Sequence, residues 1–195
     1  APEFVAGARY AELAAQVEPL LEKGSRVLLL ARCDAEPDPK VGLDADKLEF
    51  VALLPVANRI RPEAPETFRY FEDQGVHVKV ISGDTPVTVS EVARQAGIAH
   101  AEDYIDASTL KTPEELEEAI LKYTVFGRVT PDQKRQFVQA LKKNGKTVAM
   151  TGDGVNDILA MKDADCSVAM ASGSEAASNV AQLVLLDSDF SRMPS

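Results

Sequence analysis

Short apolar runs alternate along this chain with stretches of helical period, and most elements follow from that rhythm. Val5 to Leu21 carries apolar residues at helical spacing and predicts a helix closed before Lys23-Gly24. Val27 to Leu30 and Leu48 to Leu54 read as buried strands. Between them, Cys33 to Asp46 is acidic, holds Pro37, Pro39 and Gly42, and reads as a turn region, the one break in composition. Pro62 suits the first turn of a helix running to about Gln74. Strand and helix then alternate. Val76 to Ile81 predicts a strand, and Pro86 to Ala96 a helix closed by Gly97. Thr112-Pro113 opens an acidic helix to Lys122, with Thr112 as cap and Glu115 at the capping-box position. Val125-Phe126 is a short strand, and Pro131 to Lys143 a helix ended by Asn144-Gly145. Thr147 to Met150, Ser167 to Met170 and Leu183 to Leu186 complete the strands. Such alternation predicts an α/β fold, a parallel sheet with helices on both faces.

Charge and length narrow the class. The 195 residues suffice for one domain, or for one domain plus a fragment. A net charge of −10 argues against nucleic acid or an anionic membrane surface as partner. No apolar run approaches the roughly 20 residues that span a bilayer. The first residues, Ala1-Pro2-Glu3-Phe4, lack an initiator Met, so the chain is expected to be cut from a longer polypeptide. Cys33 and Cys166 are far apart and read as reduced thiols, and neither His77 nor His100 has a neighbour at metal-ligand spacing.

The candidate chemistry sits at predicted strand ends. Thr151-Gly152-Asp153-Gly154-Val155-Asn156-Asp157 follows an apolar run and precedes a helical pattern from Ile158 to Ala164. Two carboxylates and an amide then occupy the turn at the carboxyl end of a buried strand, where ligands bind in open α/β sheets. Acids four apart, with glycines that let backbone close in, suit a hard cation such as Mg2+ beside a phosphate; an ordinary Gly/Asp turn is the alternative. Ser82-Gly83-Asp84 follows the strand ending at Ile81, and hydroxyl, glycine N–H and helix start make an anion-binding corner, or else a plain strand-to-helix turn. Lys134 lies early in a helix, where a lysine is either solvated or a point charge for a phosphoryl oxygen.

In this order the three motifs resemble the haloacid dehalogenase superfamily, and their longer spelling resembles the P-type (E1-E2) cation-transporting ATPases. The stretches that carry the likeness are Thr151 to Asp157, Ser82-Gly83-Asp84 with Pro86 and Thr88, and Phe126-Gly127-Arg128-Val129-Thr130-Pro131 before Lys134. Ala1-Pro2-Glu3 and Ser25 to Ala31 resemble the end of that family's nucleotide-binding domain, and Leu185 to Phe190 the end of its phosphorylation domain. The resemblance implies a Rossmann-like, haloacid dehalogenase-type domain over residues 48–195. Residues 1–47 would be a remnant of an α+β nucleotide-binding domain.

It further implies the cytosolic catalytic fragment of an ATP-driven cation pump that forms an aspartyl-phosphate, with Mg2+ and ATP as cofactors. By family role Asp153 holds Mg2+, and Asp157 orders the metal's surroundings or Lys134. Lys134, Ser82, Gly83 and Asn156 hold the transferred phosphoryl. Asp84, Arg128, Arg26 and Arg61, with Thr151 and Gly152, belong to nucleotide binding. Implied partners are the transported cation and the rest of the polypeptide: nucleophile strand, nucleotide-binding, actuator and membrane domains. The implied location is the cytoplasmic side of a membrane, for a fragment itself soluble. The spelling around Ile60-Arg61-Pro62 and Ile81 to Thr88 leans toward the calcium-type branch.

Two departures stand out. The family's Asp-Lys-Thr-Gly-Thr nucleophile motif is absent, and Asp34, Asp44 and Asp46 read as solvated turn acids. Asn58 stands where the family's Asp-x-x-Arg hinge has Asp. A haloacid dehalogenase-type phosphatase fragment, or a non-catalytic relative that has lost its nucleophile, are the alternatives. In this superfamily the nucleophile strand is central, so the chain is expected not to be a self-sufficient fold. The gap is expected to expose Val80, Val148 and Met150.

Overall fold

The computed structural model describes residues 2–33, 44–57 and 59–194. Asn58, and Asp34 with the rest of 34–43, lie outside them. The chain divides into two compact units, Ala1–Arg59 and Ile60–Ser195.

In the first unit, α1 (Pro2–Ala6), a 3-10 turn (Gly7–Tyr10) and α2 (Ala11–Leu21) replace the single helix expected. Gly7 at φ +53° supplies the break, a conformation that L side chains rarely adopt. Strands β1 (Arg26–Cys33) and β2 (Leu48–Val56) pair antiparallel, with Leu28 opposite Leu54 and a register shift between Leu30 and Ala31. Ala6, Leu13, Val17 and Val27 form the core. Arg9 ties the unit together: it donates to the carbonyls of Ala45 and Leu48 at 2.9 and 2.8 Å, and stacks 4.2 Å over the Phe50 ring. Asp44 caps the 3-10 turn Ala45–Lys47 and pairs with Lys47, the role expected of a turn acid.

Residues 48–56 form a strand paired with β1, and the first compact unit extends to Arg59. An apolar run reveals a strand; its partner is a tertiary matter.

The second unit contains α3 (Ala64–Asp73), β3 (Val80–Ile81), α4 (Pro86–Gln95), β4 (Tyr104–Asp106), α5 (Pro113–Lys122), β5 (Val125–Gly127) and α6 (Pro131–Lys143). It continues with β6 (Ala149–Gly152), α7 (Ile158–Asp163), β7 (Cys166–Met170), α8 (Glu175–Val180) and β8 (Leu183–Leu185). The strands make two three-stranded parallel sheets, ordered β3-β5-β4 and β6-β7-β8. Thus β3 and β6, which lead into the two Gly-Asp motifs, each sit at a sheet edge. Among the described residues neither has a ladder partner on its second side.

Helix ends follow local chemistry. Thr112 and Glu115 form the expected capping box of α5, and Thr130 and Gln133 form one on α6. Two clusters anchor the sheets. Ile120 of α5, Phe126 of β5 and Phe137 of α6 are fully buried in one, and the two rings lie 4.7 Å apart. The other joins Val138 of α6, Val148, Met150, Ala160 and Met161 of α7, Ala169 and Ala177 of α8.

That second cluster corrects another expectation. Val148 and Met150 are 8% and 9% exposed, not uncovered, because α6, α7 and α8 supply the apolar cover without any further strand. Val80 is half-buried against Val89, Ala93, Ala101 and Val125. An open strand edge leaves main-chain groups unpaired, while a side chain is covered from the sheet face. Two elements carried too few residues to be read from the sequence: β4, and α8 with its Ser174 cap. Of the expected strand Val76 to Ile81, only Val80–Ile81 enters a ladder.

Candidate functional site

The turn after β3 is held by main chain. Ser82 N–H donates to the Phe126 carbonyl at 2.9 Å, Val129 N–H to Ser82 at 2.9 Å, and Arg128 N–H to Asp84 at 2.8 Å. Arg128 sits at φ +53°, and this left-handed residue turns both N–H groups back toward the corner. Gly127 makes the fit possible, since a Cβ there would lie 2.3 Å from Pro86 N. The Asp84 N–H donates to Ser82 Oγ at 3.1 Å. A hydroxyl accepts and donates, so Ser82 can still offer its hydrogen to an anion beside the exposed Gly83.

In the turn after β6, side chains add to the main-chain hold. Asp157, 6% exposed, accepts from Lys134 Nζ at 2.6 Å on Oδ1 and from Gly154 N–H at 3.1 Å on Oδ2. Lys134 comes from the first turn of α6, which follows Val129 directly, so one continuous chain of contacts runs from Ser82 to Gly154. Gly152 leaves room for the acid: a Cβ there would lie 2.5 Å from Asp157 Cβ. Asp153, Asn156 and Thr151 are exposed around it.

The two acids therefore differ. Each oxygen of Asp157 accepts one hydrogen bond, so the buried acid anchors Lys134, while the Asp153 carboxylate is the exposed one of the two. Mg2+ fits that donor: it prefers oxygen, binds through one or two carboxylates and keeps waters or phosphate oxygens for the rest. Among the described residues no three His, Cys, Asp or Glu side chains gather into a protein cage.

The arginines divide among other partners. Arg128 donates from Nη1 to Asp106 Oδ2 at 2.9 Å, with 43% of its side chain exposed. Partial burial pushes the Asp106 carboxyl up, but hydrogen bonds from Ser108 and the Arg128 charge outweigh that and hold it below the ordinary range. Arg61, expected with the nucleotide, instead meets the C-terminal segment: Nη2 donates to Ser188 O at 3.2 Å and Nη1 lies 3.6 Å from Asp189 Oδ1. The partly buried Asp189 carboxylate and the Ser188 carbonyl attract it there. Arg26 lies on β1 of the first unit.

Three residues at the site were not singled out from the sequence: Asp106, Gly173 and Ser174. Ser174 N–H donates to Asp153 O at 2.7 Å, and Gly173 packs on the same residue. Their signal was present, since Ser172-Gly173-Ser174 follows a strand as Ser82-Gly83-Asp84 does.

The Ser82 corner after β3, Lys134 on α6 and the acid corner after β6 follow one another in the order that resembles the haloacid dehalogenase superfamily. A haloacid dehalogenase-like hydrolase family model matches residues 3–165, and the chain belongs to that family. Within it, the chain is 48% identical over 89% of its length to the probable cation-transporting ATPase exp7 of Streptococcus pneumoniae, covering 22% of that protein. It is 50% identical over 93% of its length to the calcium-transporting ATPase CtpE of Mycolicibacterium smegmatis, covering 23% of it. The chain thus spans about a fifth of the length of these curated relatives. A solved structure of the catalytic domain of the CPx-ATPase CopB-B, concerned with changes upon nucleotide binding, matches with a TM-score of 0.55 and 26% identity. That match covers 75% of this chain and 47% of the other. No helix of the described residues is long and apolar enough to cross a membrane.

Proposed function

We propose that this chain is the phosphoryl-handling part of an ATP-driven cation pump on the cytoplasmic side of a membrane. One observation carries the reading. The two motif-bearing strands, β3 and β6, are both edge strands, and Lys134 on α6 bridges to the acid beyond β6. A parallel strand entering at these edges would bring its carboxyl end between the Ser82 corner and Asp153. An aspartate there would be the nucleophile, attacking the γ-phosphoryl of ATP and releasing ADP from an aspartyl-phosphate.

Each residue then has a task. Ser82, the Gly83 N–H, Lys134 and Asn156 hold the transferring phosphoryl, where fixed donors stabilise charge that develops in flight. Asp157 keeps Lys134 aimed. Asp153 holds Mg2+, which supplies charge neutralisation at the phosphoryl oxygens. Asp84, Arg128, Thr151 and Gly152 border the nucleotide. The first unit is a C-terminal piece of a nucleotide-binding domain, and Arg26 on its β1 has a nucleotide role by family resemblance alone. Arg61 anchors the entry of the second unit to its C-terminal segment. The relative named as calcium-transporting makes calcium the first cation to assay.

The test uses the full-length protein with labelled ATP and an acid quench. The expected result is a phosphoprotein that needs Mg2+ and is released by hydroxylamine. It should be abolished by Asp153→Asn through lost Mg2+, and slowed by Lys134→Ala with Mg2+ still bound. Hydrolysis of free phosphate esters without any acid-stable phosphoprotein would overturn the pump in favour of a phosphatase. Neither activity, with an upstream sequence lacking the nucleophile motif, would favour a non-catalytic relative.

A further inference from the structure

Asp153 is gripped by its main chain, from a direction that neither Lys134 nor the phosphate corner supplies. The Ser174 N–H donates to the Asp153 carbonyl at 2.7 Å. Gly173 presses on the same residue: a Cβ there would lie 2.5 Å from Asp153 O, 2.9 Å from its Cα and 3.0 Å from its Cβ. The gripping turn is itself fixed. Gly173 N–H donates to Met170 O at 2.9 Å, Ala171 N–H to Leu185 O at 3.0 Å, and Ser172 N–H to Ser188 Oγ at 2.8 Å. Ser174 Oγ accepts from Ala177 N–H at 3.1 Å, which caps α8.

We infer that Gly173 and Ser174 are positioning residues for the cation-binding carboxylate. The inference rests on the proposed role of Asp153. With its Cα and carbonyl clamped between β6 and the β7–α8 turn, Asp153 has a fixed backbone, and only side-chain torsions are left to move its exposed carboxylate. Mg2+ demands near-ideal octahedral geometry, so a ligand fixed beforehand loses little freedom on binding. Gly173 is required because the clamp closes to backbone contact. The Ser174 N–H is required as donor, while its Oγ serves only the helix cap.

That division of labour separates the variants. Ser174→Pro removes the N–H, and the native φ of −72° already suits proline. Ser174→Ala keeps the N–H and loses only the cap. Gly173→Ala keeps every donor and drives a methyl into Asp153. In the full-length protein, Mg2+ affinity is read by displacement of Mn2+ in electron paramagnetic resonance, and nucleotide affinity is read separately. Ser174→Pro and Gly173→Ala should weaken Mg2+ by about tenfold or more, the usual consequence of removing a support behind a metal ligand. Nucleotide affinity without Mg2+ should stay at the wild-type value, and Ser174→Ala should match wild type in both. If Ser174→Pro fails to fold, Gly173→Ala carries the test alone. Unchanged Mg2+ affinity in the variants that fold would overturn the clamp, as would an equal loss in Ser174→Ala, which would assign the effect to the cap. A wild-type protein that binds no Mg2+ at millimolar concentration would instead sink the role of Asp153 itself.

Discussion

The two Gly-Asp corners look alike in the sequence and are built differently. The corner after β3 is held almost wholly by main chain: Phe126, Arg128 and Val129, from β5 and the loop beyond it, bond to Ser82 and Asp84. The corner after β6 adds to its main-chain hold at Asp153 one buried carboxylate, one lysine and glycines that make room for them. Neutral N–H donors in a fixed frame suit an anion, and their geometry survives most side-chain changes. A charged pair suits a site where phosphate and cation charges come and go, but it depends on a few side chains. The difference predicts that equivalent substitutions will have unequal effects.

The largest effect belongs to the acid corner. Lys134→Ala leaves Asp157 buried and unpaired, and should cost about 3 kcal/mol or more by denaturant unfolding. Adding Asp157→Asn to Lys134→Ala should recover part of that loss while phosphoryl transfer stays slow. Wild-type stability in Lys134→Ala would show that the pair does not hold the corner together.

Glycines sharpen the contrast next. Gly127→Ala places a methyl against Pro86 backbone and should cost about 1–3 kcal/mol. Gly83→Ala meets only Val129 O at 4.0 Å, so its stability should stay within about 0.5 kcal/mol of wild type. Phosphate affinity, however, should fall in Gly83→Ala. Equal destabilisation by the two changes would contradict a corner whose shape is stored beside β5.

Acid should loosen the flanks of both corners together. Asp163 is held below its ordinary value by the Arg135 hydrogen bond, and Asp165 by the Val148 N–H with help from Lys142. On α5, Glu117 is held down by hydrogen bonds from Lys143 and Asn144. A carboxylate with a depressed folded pKa contributes stability above its unfolded value, and loses it as pH falls through the folded one. The window therefore opens at about pH 4, the unfolded range of aspartate and glutamate. Hydrogen exchange there should rise in both α5 and α7, more so at low salt where these exposed pairs matter most. Protection of either helix that stays unchanged through this window would break the prediction.

The smallest expected effect is at Asp106. It holds Arg128 beside the β3 corner, and an exposed pair of this kind is worth about 0.5–1 kcal/mol. Asp106→Asn should weaken nucleotide binding a few-fold with Mg2+ affinity unchanged, while Asp106→Glu should restore part of it. A shift in Mg2+ affinity instead would tie Arg128 to the wrong corner.

What the sequence by itself determined is what neighbouring residues decide among themselves. The α5 cap at Thr112 and Glu115 and the span of α6 from Pro131 to Lys143 were legible because a helix start needs only residues three or four positions away. The Gly-Asp segments were legible as turns because glycine and aspartate favour tight connections between a strand and a helix. What only the tertiary structure decided depends on partners distant along the chain. The run 48–56 announced a strand but not that β1 would claim it. The three residues of β4 became a strand only beside β5. Val148 and Met150 were covered by α6, α7 and α8 despite the open edge of β6. Asp157 turned inward to Lys134 while Asp153 stayed outward, gripped by Gly173 and Ser174. Composition and period carry local preference. Which carboxylate is buried, and which stays exposed, is settled only when separate strands and helices compete for the same space and the same hydrogen bonds.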